Sequence, residues 1–75
     1  MDTFQIVSRG LAKHLGIDVS EITPEVELMT LGLDSLDAAE LLMELEDKLD
    51  VEVKETKRIV TVADLVAAIN EAAKN

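Results

Sequence analysis

The chain has 75 residues, enough for one domain and one core. Hydrophobic residues make up 48% and the formal net charge is −9, so a folded acidic domain is expected, and binding to nucleic acid or to an anionic membrane surface is disfavoured. The absence of cysteine excludes disulfides, thiolate catalysis and cysteine-ligated metals, and points to a reducing cytoplasmic compartment for so small a domain.

The first predicted element is a helix from Thr3 to Leu15. Phe4, Val7, Leu11 and Leu15 recur at helical spacing. Asp2 or Thr3 is placed to cap it and Gly16 to end it in a left-handed conformation. Gly10 lies inside the pattern, as a tolerated glycine or as a point of close approach.

Residues 17–33 have no sustained period. Ile17, Val19, Ile22, Val26, Leu28 and Leu31 are too many hydrophobes for a solvated linker, so the connection is expected to be pinned across the bundle. Pro24 after Thr23 suggests a single helical turn there.

The second long helix is expected over Asp34 to Asp50. Ala38, Leu41, Leu42, Leu45 and Leu49 form its inner stripe, and Asp34 with Asp37 suggests a capping box. Residues 51–60 are expected to run extended and then make a helical turn around Glu55 to Arg58. The last helix is capped by Thr61, with Asp64 reciprocating, and runs to about Ala73 with Val62, Leu65, Val66 and Ile69 inward. The expected core is Phe4, Val7, Leu11, Leu15, Leu41, Leu42, Leu45, Leu49, Ile59, Val62, Leu65, Val66 and Ile69. No run of apolar residues approaches a membrane span, and Met1-Asp2 opens no signal-peptide pattern.

Opposite the inner stripe of the second helix, Leu36, Glu40, Met43 and Asp47 share a face flanked by Asp37 and Glu44. Residues 34–50 hold seven acids and one base. Such a face is either a solvated helix surface or a docking surface, on which acids steer a basic partner and Leu36 and Met43 supply apolar contact. Ser35 stands where the connection meets the helix. It is either a capping serine or a hydroxyl suited to carry a phosphate at the positive end of the helix dipole. Nucleophilic catalysis is not supported, because the one histidine, His14, lies on the first helix with no acid patterned beside it. No calcium-loop spacing or glycine-rich phosphate loop is present, and no metal site is expected.

The run Leu31-Gly32-Leu33-Asp34-Ser35-Leu36-Asp37, followed by Ala38-Ala39-Glu40-Leu41-Leu42-Met43-Glu44-Leu45-Glu46, resembles the acyl carrier protein family. Leu15-Gly16-Ile17 and Ile59, Thr61 and Val62 extend the likeness over nearly the whole chain. The resemblance implies an all-α four-helix bundle in one domain, residues 1–75, with three longer helices, a short third helix and a long loop between the first two. It implies that Ser35 carries a covalent 4′-phosphopantetheine arm from coenzyme A, whose thiol holds an acyl chain as cargo. Asp34, Leu36, Asp37, Glu40, Met43, Glu46 and Asp47 would then meet partners through the acidic second helix. Those partners are a phosphopantetheinyl transferase and the acyl-transferring and chain-elongating enzymes of fatty-acid or related biosynthesis. The chain itself would be no enzyme, a cytoplasmic monomer that neither inserts into membranes nor binds nucleic acid.

The sequence departs from the family's usual pattern in several places. Lys54-Glu55-Thr56-Lys57-Arg58 is shorter and more basic than the usual segment, Leu33 stands where fatty-acid carriers usually have alanine, and Leu28 and Leu49 occupy positions often filled by phenylalanine. Two other readings stand beside the acyl carrier. One is a carrier of aminoacyl or peptidyl groups. The other is an acidic helical adaptor in which Ser35 only caps a helix.

Overall fold

The computed structural model describes residues 2–53 and 59–73. Among them are three α-helices: α1 (Thr3–Leu15), α2 (Ser35–Leu49) and α3 (Val62–Ala73). The protein is all-α, as expected, and among the described residues the only β pairing is an antiparallel bridge between Glu27 and Thr61. The helical turn expected around Glu55 to Arg58 lies outside the described residues.

Each helix starts where its capping residue stands. Asp2 accepts the Gln5 N–H at 2.8 Å while the Gln5 side chain accepts the Asp2 N–H at 3.1 Å, closing a reciprocal box. Gly16 ends α1 with φ 69°, and its N–H reaches the Ala12 carbonyl at 2.8 Å. Only glycine holds that left-handed geometry without cost. The box expected at α3 is present: the Thr61 hydroxyl accepts the Asp64 N–H at 3.1 Å, and the Asp64 carboxylate accepts the Thr61 N–H at 3.0 Å.

α1 packs most extensively on α3. The Thr3 hydroxyl donates to the Asn70 side-chain oxygen, so the start of α1 meets the end of α3. Val7, Leu11, Val62 and Ile69 are the large side chains most completely buried, two from each helix. Burying each contributes about 1.5–3 kcal/mol before the opposing entropy is counted. α2 closes the bundle with Leu41, Leu42 and Leu45. A methyl group built on Gly10 would stand 3.6 Å from the Leu45 side chain. That is ordinary contact, so glycine is tolerated there and the packing does not require it.

The connection from α1 to α2 supplies more of the core than its sequence suggests. Ile22, Leu28 and Leu33 are buried as deeply as the helix residues, and Ala12 joins them. Phe4, Leu15, Leu49, Ile59 and Val66, expected at the centre, pack at its edge and keep part of their surface exposed. Val19 is an exception among the hydrophobes expected to pin the connection, and remains exposed. The connection is also more ordered than expected. Two 3-10 turns form, Val19–Glu21 and Leu28–Leu31. Pro24 starts no helical turn. Instead the Val26 N–H reaches the Thr23 carbonyl at 3.2 Å in a β-turn, and the Pro24 carbonyl accepts the Ala63 N–H of α3 at 2.9 Å.

Candidate functional site

Ser35 is the first residue of α2 and is exposed. It does not cap the helix. Asp34 does, its carboxylate accepting the Asp37 N–H at 2.8 Å from extended backbone. The capping box expected between Asp34 and Asp37 is therefore only half formed, because the Asp37 carboxylate does not return to the Asp34 N–H. Returning would set its short side chain beside a second carboxylate, whereas the closed box at Thr61 pairs a carboxylate with a neutral hydroxyl.

Among the described residues the Ser35 hydroxyl has no hydrogen-bond partner, and neither do the backbone N–H groups of Ser35 and Leu36. The first turn of a helix leaves such donors unsatisfied, and they favour an anionic oxygen nearby. A phosphodiester on the Ser35 oxygen would meet these groups without displacing an existing bond, so the residues present fit such a group.

From Ser35 the surface of α2 continues outward. Leu36 is 69% exposed and Met43 66%, large values for apolar side chains on a helix that packs on a core. Glu40, Glu44 and Asp47 are exposed around them, and Asp37 is half-buried at the edge. The face that helical spacing brings together is thus brought together in the fold. Two more apolar side chains, Met29 and Val60, are exposed on the connection and just before α3. The Leu28 N–H bonds the Val60 carbonyl at 2.9 Å, which places Met29 and Val60 at one seam. Sequence reading does not single them out, since neither sits in a periodic stretch.

Glu46 departs from the expected face. Its carboxylate accepts the Val53 N–H at 2.7 Å and the residue is half-buried. Only resemblance assigns it to the partner surface; at roughly 100° per residue it stands about a quarter turn from the Leu36–Met43 stripe. His14 is exposed on α1. No helix among the described residues is long and apolar enough to cross a membrane.

A family profile described as "Phosphopantetheine attachment site" matches residues 5–69. An acyl carrier protein of Helicobacter pylori (strain J99) is 38% identical over 74 residues, covering 95% of each chain. The chain belongs to the acyl carrier protein family. The acyl carrier protein of Helicobacter hepaticus is 42% identical over 72 residues, 92% of this chain and 95% of the relative. That of Streptococcus pneumoniae serotype 4 is 38% identical over 74 residues, 99% and 100% of the two. As a member of this family the chain is a carrier and not an enzyme, and its prosthetic group is 4′-phosphopantetheine. The thiol that the cysteine-free chain lacks comes with the cofactor. Acyl carriage, rather than aminoacyl carriage or an adaptor role, is what the relatives share by name. The adaptor reading also loses its premise, because Asp34 and not Ser35 caps α2.

Proposed function

We propose that residues 1–75 form a single acyl carrier domain in which Ser35 is the attachment residue, and that the outer face of α2 is the surface read by partner enzymes. The observation that supports this most directly is the exposed Ser35 hydroxyl, without a partner among the described residues, at the start of a helix whose outer face shows Leu36 and Met43 among acids. In loading, a P–O bond forms to the Ser35 oxygen and the P–O bond to the nucleotide half of coenzyme A breaks. The hydroxyl proton passes to a base supplied by the transferase. The arm supplies a terminal thiol on which an acyl group is held as a thioester.

The chain's own residues orient and steer. Asp34 holds the first turn of α2, and with it the Ser35 backbone, in place. Asp37, Glu40 and Asp47, with the Asp34 carboxylate at the rim, attract a basic patch on the transferase and on acyl-transferring and chain-elongating enzymes. Leu36 and Met43 supply the contact that water leaves on docking, and the flexible Met43 suits a surface that several enzymes must fit. The carrier acts as a cytoplasmic monomer, serving fatty-acid or related specialised biosynthesis.

The test is intact mass after incubation with coenzyme A and a phosphopantetheinyl transferase. The parent is expected to gain one phosphopantetheine and Ser35→Ala none, with helicity by circular dichroism unchanged. Loading of Ser35→Ala would overturn the assignment. The acyl group recovered from the native protein identifies the cargo.

A further inference from the structure

We infer that Glu46 is a positioning residue: its side chain docks residues 51–53 onto the last turns of α2 and does not meet partner enzymes. The inference rests on the reading of α2's outer face as the docking surface, because it separates Glu46 from the acids of that face.

Three backbone N–H groups beyond the helix converge on this one residue. The Glu46 carbonyl accepts the N–H of Asp50, the residue that ends α2, and the N–H of Val51 at 3.0 Å. Its carboxylate accepts the N–H of Val53 at 2.7 Å in a partly buried setting. The chain between them reverses at Asp50, whose φ of 54° is the one left-handed non-glycine conformation among the described residues. Such a conformation costs roughly 1–2 kcal/mol for an L-residue, so the turn needs contacts that hold it. Val51 and Val53 provide some of them by packing against the core, but Glu52 between them faces solvent. A charge-assisted bond from Glu46 to the Val53 N–H fixes the end of this stretch and satisfies a donor that packing would otherwise leave unpaired. Glu40, Glu44 and Asp47 are exposed, and among the described residues none of them accepts a hydrogen bond from a neighbouring segment. Position on the helix produces the difference. Glu46 borders the Leu42 and Leu49 side of α2, where the returning chain passes, and the other three face away from it.

Glu46→Gln and Glu46→Ala separate acceptor from charge, and Glu40→Gln serves as the docking control. Hydrogen exchange of the Val53 amide in the unloaded protein reads the docking contact without any partner. The transferase loading rate across a salt series reads the surface. Glu46→Gln keeps a carbonyl oxygen at the site and is expected to retain most of the Val53 protection. Glu46→Ala should speed its exchange by about tenfold or more, and the loss in loading should be larger for Ala than for Gln. Neither should flatten the salt dependence of loading. Glu40→Gln should flatten it and leave the Val53 amide as in the parent. The inference is overturned if Glu46→Ala leaves Val53 exchange unchanged, or if Glu46→Gln flattens the salt dependence as Glu40→Gln does. If Glu40→Gln has no effect on loading, the docking face is wrong, while the Val53 exchange still decides the role of Glu46.

Discussion

The starts of α2 and α3 show the same local device put to opposite uses. At α3 all four leading N–H groups are satisfied. Val62 donates to the Val26 carbonyl, Ala63 to the Pro24 carbonyl, Asp64 to the Thr61 hydroxyl and Leu65 to the Thr61 carbonyl. The Asp64 carboxylate then takes the N–H groups of Val60 and Thr61. Among the described residues, only the third and fourth N–H groups of α2 are satisfied, both by Asp34, and the first two and the Ser35 hydroxyl have no partner there. One helix start is closed by the long connection and serves as a joint. The other is left open among the described residues and is the proposed attachment site.

α1 sharpens the contrast. It begins Asp2-Thr3 as α2 begins Asp34-Ser35, with an acidic cap followed by a hydroxyl. The Thr3 hydroxyl, however, is held by Asn70 of α3. A hydroxyl at the start of a helix becomes available for modification only where no neighbouring element claims it.

The strongest way to break the comparison is to open the joint. Leu28 is 3% exposed and also donates its N–H to Val60, whereas its neighbour Met29 is 78% exposed. Leu28→Ala should cost about 2–4 kcal/mol in urea unfolding. Met29→Ala should stay within about 0.5 kcal/mol of the parent. Equal effects would mean that the connection is not seated as described.

A smaller effect is expected at the open start. Asp34→Ala should cost about 1 kcal/mol, since the carboxylate is the cap. Ser35→Ala should change stability by less than about 0.5 kcal/mol, since the hydroxyl makes no bond within the described residues. The reverse order in denaturant melts would return the capping role to Ser35.

The smallest effect concerns acid. The backbone N–H groups of Thr61 and Val60 hold the Asp64 carboxyl below the usual carboxylate range, and the Ser20 N–H does the same for Asp18. A group whose pKa is depressed by folding adds stability above its unfolded value, and that stability is lost as pH falls through the folded value. Asp64→Asn, which resembles the protonated acid, should therefore melt below the parent near pH 6–7. The gap should narrow as pH falls below about 4, the ordinary carboxylate value, and close only below the depressed folded value, where the parent carboxyl is itself protonated. A gap that persists at low pH would show that shape and not charge distinguishes the two side chains.

The two helix ends also show how far local patterns reach. The positions of α1, α2 and α3 follow from apolar spacing, and the caps Asp2, Asp34 and Thr61 and the left-handed Gly16 from residue types at fixed offsets.

Leu36, Glu40, Met43 and Asp47 were legible for the same reason: a helix of known register puts them on one side, while Ser35 was legible from its place where the connection meets the helix and from the motif around it. The fate of a helix end, by contrast, depends on residues far along the chain. That Asp34 rather than Ser35 caps α2, that Pro24 and Val26 turn their carbonyls to α3, and that Glu46 faces the returning chain are decided by which donors and acceptors meet in three dimensions. The same holds for Ile22, Leu28 and Leu33, which lie in a stretch without period and are buried where that stretch packs on the helices and hydrogen-bonds to the start of α3. Helical periodicity is a short-range property that the sequence carries by itself. The pairing of the remaining backbone groups is long-range, and only the tertiary structure decided it, because a buried donor or acceptor must find a partner wherever the fold supplies one.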